Sequence, residues 1–184
     1  MIACDRGLRY ALDSELVPDI VIGDFDSLED QEALDQFRNV VRYPKEKDDT
    51  DTMLAIKHAI SLGFSNIQIF GAFGGRMDHF IANIQAAAYA AAHGALCRMT
   101  DRDEEAWVFS GRTVSIPKKS GWSFSLFALT DICSGVTLTD MKYPAENVTV
   151  TNTFPIGISN EYLADTTDVS VKEGILLVMQ SRMD

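Results

Sequence analysis

The sequence has little of what several large functional classes require. Its three cysteines, Cys4, Cys97 and Cys133, are odd in number and scattered, with no Cys-x-x-Cys pair and no Cys/His ligand spacing. They read as reduced, mostly buried thiols, not as a disulfide framework or a zinc module. Positive charge is scarce: 16 Lys and Arg stand against 27 Asp and Glu, a formal net charge of −11. A nucleic-acid backbone needs a basic footprint, so that role is disfavoured. ATP is not, because a local arginine and a divalent cation outweigh a global field at contact distance. No apolar run approaches membrane-spanning length and no basic-plus-apolar signal opens the chain, so a cytoplasmic protein is expected. Neither a G-x-x-x-x-G-K-[ST] loop nor G-x-G-x-x-G occurs, which disfavours a P-loop or nicotinamide-binding protein. Internal repeats and low-complexity tracts are absent as well.

What is there begins with Gly71-Ala72-Phe73-Gly74-Gly75-Arg76-Met77-Asp78-His79, between the apolar run Ile67–Phe70 and an amphipathic stretch from Met77 to His93. Glycines let a backbone approach an anion closely, a helix N-terminus offers unpaired N–H donors, and Arg76 can grip phosphate oxygens in two places. The loop suits a polyphosphate. Within the helix, Met77, Phe80, Ile81, Ile84 and Ala88 form one apolar stripe expected to be core, with Gly94 as its C′ residue. His79 lies one step off that stripe, free to face the loop.

Upstream, Ile20–Ile22 is short, β-branched and bounded by Pro18 and Gly23, the pattern of a buried parallel strand. Asp24-Phe25-Asp26-Ser27 follows. Residues two apart on an extended chain point the same way, so Asp24 and Asp26 are expected to aim into one space beyond the strand's carboxyl end. Open α/β sheets bind ligands there. Two carboxylates about 4 Å apart repel by roughly 4 kcal/mol at an effective dielectric near 20. A hard divalent cation offsets that most simply, and Mg²⁺ favours a few carboxylates plus phosphate oxygens. A third acidic group, Lys47-Asp48-Asp49-Thr50-Asp51, precedes the periodic run Met53, Leu54, Ile56, Lys57, Ile60. Thr50 or Asp49 suits an N-cap. Asp51, at another strand-to-helix junction, is the carboxylate expected to join the metal site, whereas Lys47 suits either a phosphate or solvent.

At 184 residues with 46% hydrophobic content, the chain can build one substantial core or two small ones. Before Thr100, apolar runs at Ile2–Cys4, Ile20–Ile22, Val40–Val41, Ile67–Phe70 and Ala95–Met99 alternate with helical stretches at Glu29–Phe37, Asp51–Leu62 and Met77–His93. Such alternation predicts a parallel sheet covered on both faces. After the acidic stretch Asp101–Glu105 come short β-rich runs at Ala106–Phe109, Thr113–Ile116, Ser123–Leu129, Val148–Thr151, Val169–Val171 and Ile175–Gln180, punctuated by turn residues. The expected fold class is thus α/β plus all-β: a Rossmann-like parallel-sheet domain over residues 1–100, then a small β-sandwich domain over residues 101–184. Trp107 and Trp122 are expected in the sandwich core.

Six motifs in order resemble the thiamine pyrophosphokinase family: Cys4-Asp5-Arg6-Gly7, Pro18–Ser27, Lys47–Asp51, Gly71–His79, Met141-Lys142-Tyr143-Pro144 and Gly157-Ile158-Ser159-Asn160-Glu161. The likeness covers nearly the whole chain. Members of that family normally carry a further strand and loop ahead of the Asp5 motif, and this chain begins almost on it. The resemblance implies a Mg²⁺-dependent enzyme that moves a pyrophosphoryl group from ATP to the hydroxyl of thiamine, releasing AMP. It implies Asp24, Asp26 and Asp51 as catalytic metal ligands. Asp5, Arg6, Lys47, Thr50, Gly74, Gly75, Arg76, Asp78 and His79 become ATP-binding residues, and Ser159, Asn160 and Glu161 thiamine-binding residues. As bare sequence, Gly157 to Asn160 is turn chemistry. The family further implies a homodimer in which the β domain of one subunit completes the site of its partner.

Such chemistry rests on positioning and electrostatics and needs no covalent nucleophile. The proton of the attacking hydroxyl has three candidate acceptors in Asp78, His79 and the metal-bound aspartates. Two rivals remain: a haloacid dehalogenase-type phosphohydrolase, which also sets Asp-x-Asp after a strand, and a non-catalytic nucleotide or thiamine sensor.

Overall fold

The computed structural model describes all residues except 5, 26–33, 35, 36, 45, 47 and 184, and the side chain of Arg6. The chain forms two compact units, Met1–Leu62 and Gly63–Asp184. Mixed α/β architecture is present, with sheets dominant and few helices.

In the first unit β1 (Ile2–Cys4), β2 (Ile20–Gly23) and β3 (Val40–Arg42) form a parallel sheet in the order β1-β2-β3. Ile2 lies opposite Ile20, and Val21 opposite Val40. Parallel neighbours need a crossover, and α1 (Arg6–Asp13) supplies it between β1 and β2. That helix was not expected; it buries Leu8 and Ala11. Leu8 packs with Ala3, Val21, Phe25 and Leu34 on one face of the sheet. Cys4 alternates to the other face, where its Sγ donates to the carbonyl of Asp51, 3.6 Å away, at the start of α2 (Asp51–Ser61). α2 buries Leu54, Ile56 and Ala59. Helices thus cover both faces, as apolar β-branched strands demand. The helix expected over Glu29–Phe37 lies largely outside the described residues.

The second unit holds β4 (Asn66–Phe70), α3 (Met77–Ala92), β5 (Leu96–Thr100), β6 (Glu104–Phe109), β7 (Arg112–Pro117), β8 (Trp122–Ala128), β9 (Ile132–Leu138), β10 (Ala145–Thr151), β11 (Thr166–Val171) and β12 (Leu176–Arg182). Five strands run in the order β4-β5-β6-β12-β8 and four in the order β10-β9-β11-β7. Among the described residues of this unit only β4 and β5 pair in parallel, and every other strand pairing is antiparallel. Alternate residues of both sheets meet in one cluster that includes Phe109, Ile116, Phe124, Val136, Val169 and Leu176. Trp107 belongs to it, whereas Trp122 is only half-buried, with the Lys119 ammonium 4.2 Å from its ring centre. β9 was missed because Gly135 and the small residues around it dilute the apolar alternation.

The composition change near Thr100 coincides with a hairpin. The amide of Asp101 donates to the carbonyl of Glu104 at 2.8 Å, and β5 and β6 pair from Cys97 opposite Val108 to Thr100 opposite Glu105. Glu105, 2% exposed, is offset by Arg98 at 2.8 Å and Lys119 at 2.9 Å. Cys97 and Cys133 are buried, Cys4 partly so, and none of the three is in a disulfide. Among the described residues no helix is long and apolar enough to cross a membrane.

Candidate functional site

Asp24 directly follows β2 and is half-buried. Phe25 after it is fully buried with φ +58°, a left-handed conformation that a bulky side chain adopts only under tertiary compulsion. The chain therefore leaves the extended conformation at Phe25. Asp26 itself lies outside the described residues, as do Asp5 and Lys47. Arg6 is the first residue of α1.

Thr50 settles the N-cap of α2, its Oγ1 accepting from the amide of Met53 at 3.2 Å. Asp49 is instead paired with Lys57, whose Nζ meets both carboxylate oxygens at 2.8 and 2.7 Å. Asp51 opens the first turn, half-buried. Its carbonyl is the one tied to Cys4, and Cys4 stands opposite Ile22, two residues before Asp24. Asp24 and Asp51 thus share the carboxyl-end edge of the small sheet. Among the described residues no group of three His, Cys, Asp or Glu side chains is placed to hold a metal. Two hard carboxylates nonetheless suit Mg²⁺, which takes one or two such ligands and fills its octahedron with water and phosphate oxygens. The donor set fits.

In the second unit the Gly71–His79 loop leads from β4 into α3. Gly75 has φ +85°, which only glycine adopts without strain. The side chain of Asn83 reaches back to the carbonyl of Ala72 at 2.9 Å, and the Phe73 and Phe80 rings lie 5.5 Å apart. Arg76 occupies the N-cap position and makes no side-chain cap bond. Its guanidinium fork is closed on Asp78, with Nε 3.0 Å from Oδ1 and Nη2 bonded to Oδ2. Asp78 Oδ1 also accepts from the amide of His79 at 2.9 Å. These contacts, the Arg76 hydrogen bond above all, hold the Asp78 carboxyl below its usual range and raise Arg76. Gly74, Gly75, Arg76, Asp78 and His79 are all exposed.

The expected stripe on α3 needs correction. Met77 and Ile81 are 71% and 52% exposed, and the buried residues are Ala86, Ala87, Ala90 and Ala91. The helix docks on β5 and β6, and its fully buried residues all lie in its C-terminal half, where alanines permit close approach. Gly94, φ +80°, ends it as expected.

The Gly157–Glu161 segment lies against β8. Leu126 donates to the carbonyl of Gly157 at 2.9 Å, and Asn160 forms a two-way backbone bridge to Phe124. Ser159 has φ +58° and is exposed, its amide bonded to Ser125 Oγ at 3.1 Å. Glu161 is exposed and pairs with Lys142 at 2.7 Å, a contact that raises the lysine's pKa. Asn160 between them is buried.

A family model described as "Thiamin pyrophosphokinase, catalytic domain" matches residues 1–98, and one described as "Thiamin pyrophosphokinase, vitamin B1 binding domain" matches residues 112–176. The chain is 32% identical over 184 residues to the thiamine pyrophosphokinase of Bacillus subtilis (strain 168), covering 98% of this chain and 86% of that protein. The chain belongs to the thiamine pyrophosphokinase family. Crystal structures agree. That of the Bacillus subtilis thiamine pyrophosphokinase superposes with a TM-score of 0.86 at 31% identity, over 98% of this chain and 86% of that one. That of the Geobacillus thermodenitrificans thiamin pyrophosphokinase gives 0.80 at 29% identity, over 98% and 85%.

Within this thiamine pyrophosphokinase family member, the catalytic-domain match spans Asp24, Asp51 and the Gly71–His79 loop, and the B1-binding match spans Ser159–Glu161. Two features escaped sequence reasoning. Phe25 carries no local signal for a left-handed backbone. The partner of Asn160 lies at Tyr143, 17 residues away.

Proposed function

We propose that this chain transfers a pyrophosphoryl group from ATP to the primary hydroxyl of thiamine, forming thiamine diphosphate and AMP. The observation that carries the reading is the ordered match of both family models on one chain that aligns with a full-length relative over nearly its whole length. The functional division proposed with it is a Rossmann-like α/β part over residues 1–100 and a β-sandwich part over residues 101–184, a different cut from the compact units Met1–Leu62 and Gly63–Asp184.

Asp24, Asp26 and Asp51 would hold Mg²⁺, Asp24 and Asp51 offering hard oxygens from the carboxyl-end edge of their sheet, and a bound cation would supply electrostatic stabilisation to the phosphate oxygens. Asp5, Arg6, Lys47 and Thr50 serve ATP on the first unit. On the second, the Gly74 and Gly75 amides and Arg76 hold phosphate, with Asp78 and His79 shaping the start of α3. The fork of Arg76 must loosen from Asp78 or share its donors, and surface exposure makes that exchange inexpensive. Ser159, Asn160 and Glu161 form the thiamine segment. The hydroxyl of thiamine attacks the β-phosphorus in line, the bond to the AMP oxygen breaks, and the hydroxyl proton leaves to a base. Asp78, His79 and the aspartates of the metal site are the candidate acceptors of that proton. A cytoplasmic homodimer with shared sites completes the reading; sedimentation with and without thiamine tests the dimer.

Incubation with ATP, Mg²⁺ and thiamine, followed by separation of nucleotides, tests the function. AMP and thiamine diphosphate in equal amounts support it. Inorganic phosphate with ADP points to a phosphohydrolase, and binding without turnover points to a sensor.

A further inference from the structure

Asn160 sits in the middle of the thiamine segment, yet its side chain turns inward. It is 7% exposed, whereas Ser159 and Glu161 on either side are exposed. Its Oδ1 accepts from the amides of Tyr143 and Glu161, both at 3.0 Å, and its Nδ2 donates to the carbonyl of Tyr143 at 2.8 Å. A carboxamide offers two lone pairs and two hydrogens, so both lone pairs and one hydrogen are already committed to backbone. The backbone of Asn160 is committed as well, donating to the Phe124 carbonyl at 2.7 Å and accepting from its amide at 3.2 Å. Little of this residue is left to meet a ligand.

What the carboxamide does is fasten two segments that are far apart in sequence. Around it, the amide of Lys142 donates to the carbonyl of Glu161 at 2.9 Å, their side chains pair, and Met141 bridges to Tyr162. The left-handed backbone of Ser159 next door persists because Asn160 and the Ser125 hydroxyl hold both of its sides. The outcome is one clamped ridge on which Ser159, Glu161 and Tyr143 are all exposed, with the Glu161 carboxylate paired to Lys142.

We infer that Asn160 is a positioning residue for thiamine: its carboxamide locks Tyr143 to Glu161 so that this ridge is formed before thiamine arrives, and the carboxamide itself is not a thiamine ligand. The inference rests on the thiamine reading of this segment proposed above.

The test compares the whole chain with its Asn160→Ala and Asn160→Asp variants by steady-state kinetics and by hydrogen exchange in the absence of thiamine. Asn160→Ala removes all three bonds. The amides of Tyr143 and Glu161 should then exchange at least about tenfold faster, with β6 and β12 unchanged. The thiamine KM should rise about tenfold and the ATP KM should not move. Asn160→Asp keeps both accepted bonds, but its second oxygen faces the Tyr143 carbonyl where an amide hydrogen stood, so the donated bond becomes a repulsion. The two amides should stay better protected than in Asn160→Ala and the thiamine KM should rise less, which keeps the test open if the alanine variant folds poorly. Two results overturn the inference. One is a raised thiamine KM in Asn160→Ala with both amides as protected as in the wild type, which means direct contact. The other is loss of that protection with kinetics unchanged, which means a purely structural bond. If the wild-type chain releases no AMP, the functional reading fails instead, and the exchange data still report on the clamp.

Discussion

Gly157→Ala perturbs the thiamine segment from behind, and its cost can be worked from contacts. A Cβ at this position would lie 2.6 Å from Leu126 Cγ, 2.7 Å from its Cδ1 and 2.7 Å from its carbonyl oxygen. Leu126 is 5% exposed and packed in the main cluster, and its carbonyl is backbone of β8, so neither can retreat easily. Overpacking of this kind costs about 1–3 kcal/mol. The bond from the Leu126 amide to the Gly157 carbonyl, 2.9 Å long, must stretch, adding about 0.5–1.5 kcal/mol. Reduced freedom of the unfolded chain returns about 0.4–1 kcal/mol, because the backbone here is not left-handed. A net loss near 2 kcal/mol lowers Tm by about 4–8 °C for a chain of this size. Differential scanning calorimetry measures the shift. The kinetic expectation is a raised thiamine KM with the ATP KM unchanged. A Tm within about 1 °C of wild type would show that Leu126 yields freely, and the packing argument would fail.

Three further outcomes are expected. Asp24→Asn should cut turnover by at least about a hundredfold, since a metal ligand is lost; activity near wild type removes Asp24 from the metal site. Arg76→Lys should fold normally but bind ATP more weakly by calorimetry, because an ammonium cannot replace a two-pronged fork; equal affinity returns Arg76 to a surface ion pair with Asp78. Titration of native protein with a disulfide reagent near pH 8 should modify Cys4 alone, since burial pushes Cys97 up to about 12 and also raises Cys133, whereas denatured protein should react at all three thiols. Rapid reaction of Cys97 in the native state would contradict its burial.

Much of the fold was legible in the sequence because its signals are local. The runs at Ile20–Ile22 and Ile67–Phe70 are β-branched and bounded by turn residues, Thr50 is a good cap, and Gly94 is a good C′ residue, so the elements fell within a few residues of where they form. The Gly-Gly-Arg loop declared itself because glycine at Gly75 answers a backbone requirement that no neighbour supplies. Asn160 was legible only as turn chemistry.

Tertiary structure decided the rest. Which face of α3 is buried depends on the end by which it docks, and alanines at Ala86, Ala87, Ala90 and Ala91 win over larger residues at Met77 and Ile81 because close approach to β5 and β6 needs small side chains. The left-handed backbone at Phe25 accompanies burial of its ring among Ala3, Leu8 and Val21, contacts that no local pattern encodes. The commitment of Asn160 to Tyr143 needs two loops brought together by sheet pairing, a distance in sequence that no periodicity spans. Periodicity reports what a residue does to its own helix or strand; which partner fills its hydrogen bonds is settled only once distant segments are packed together.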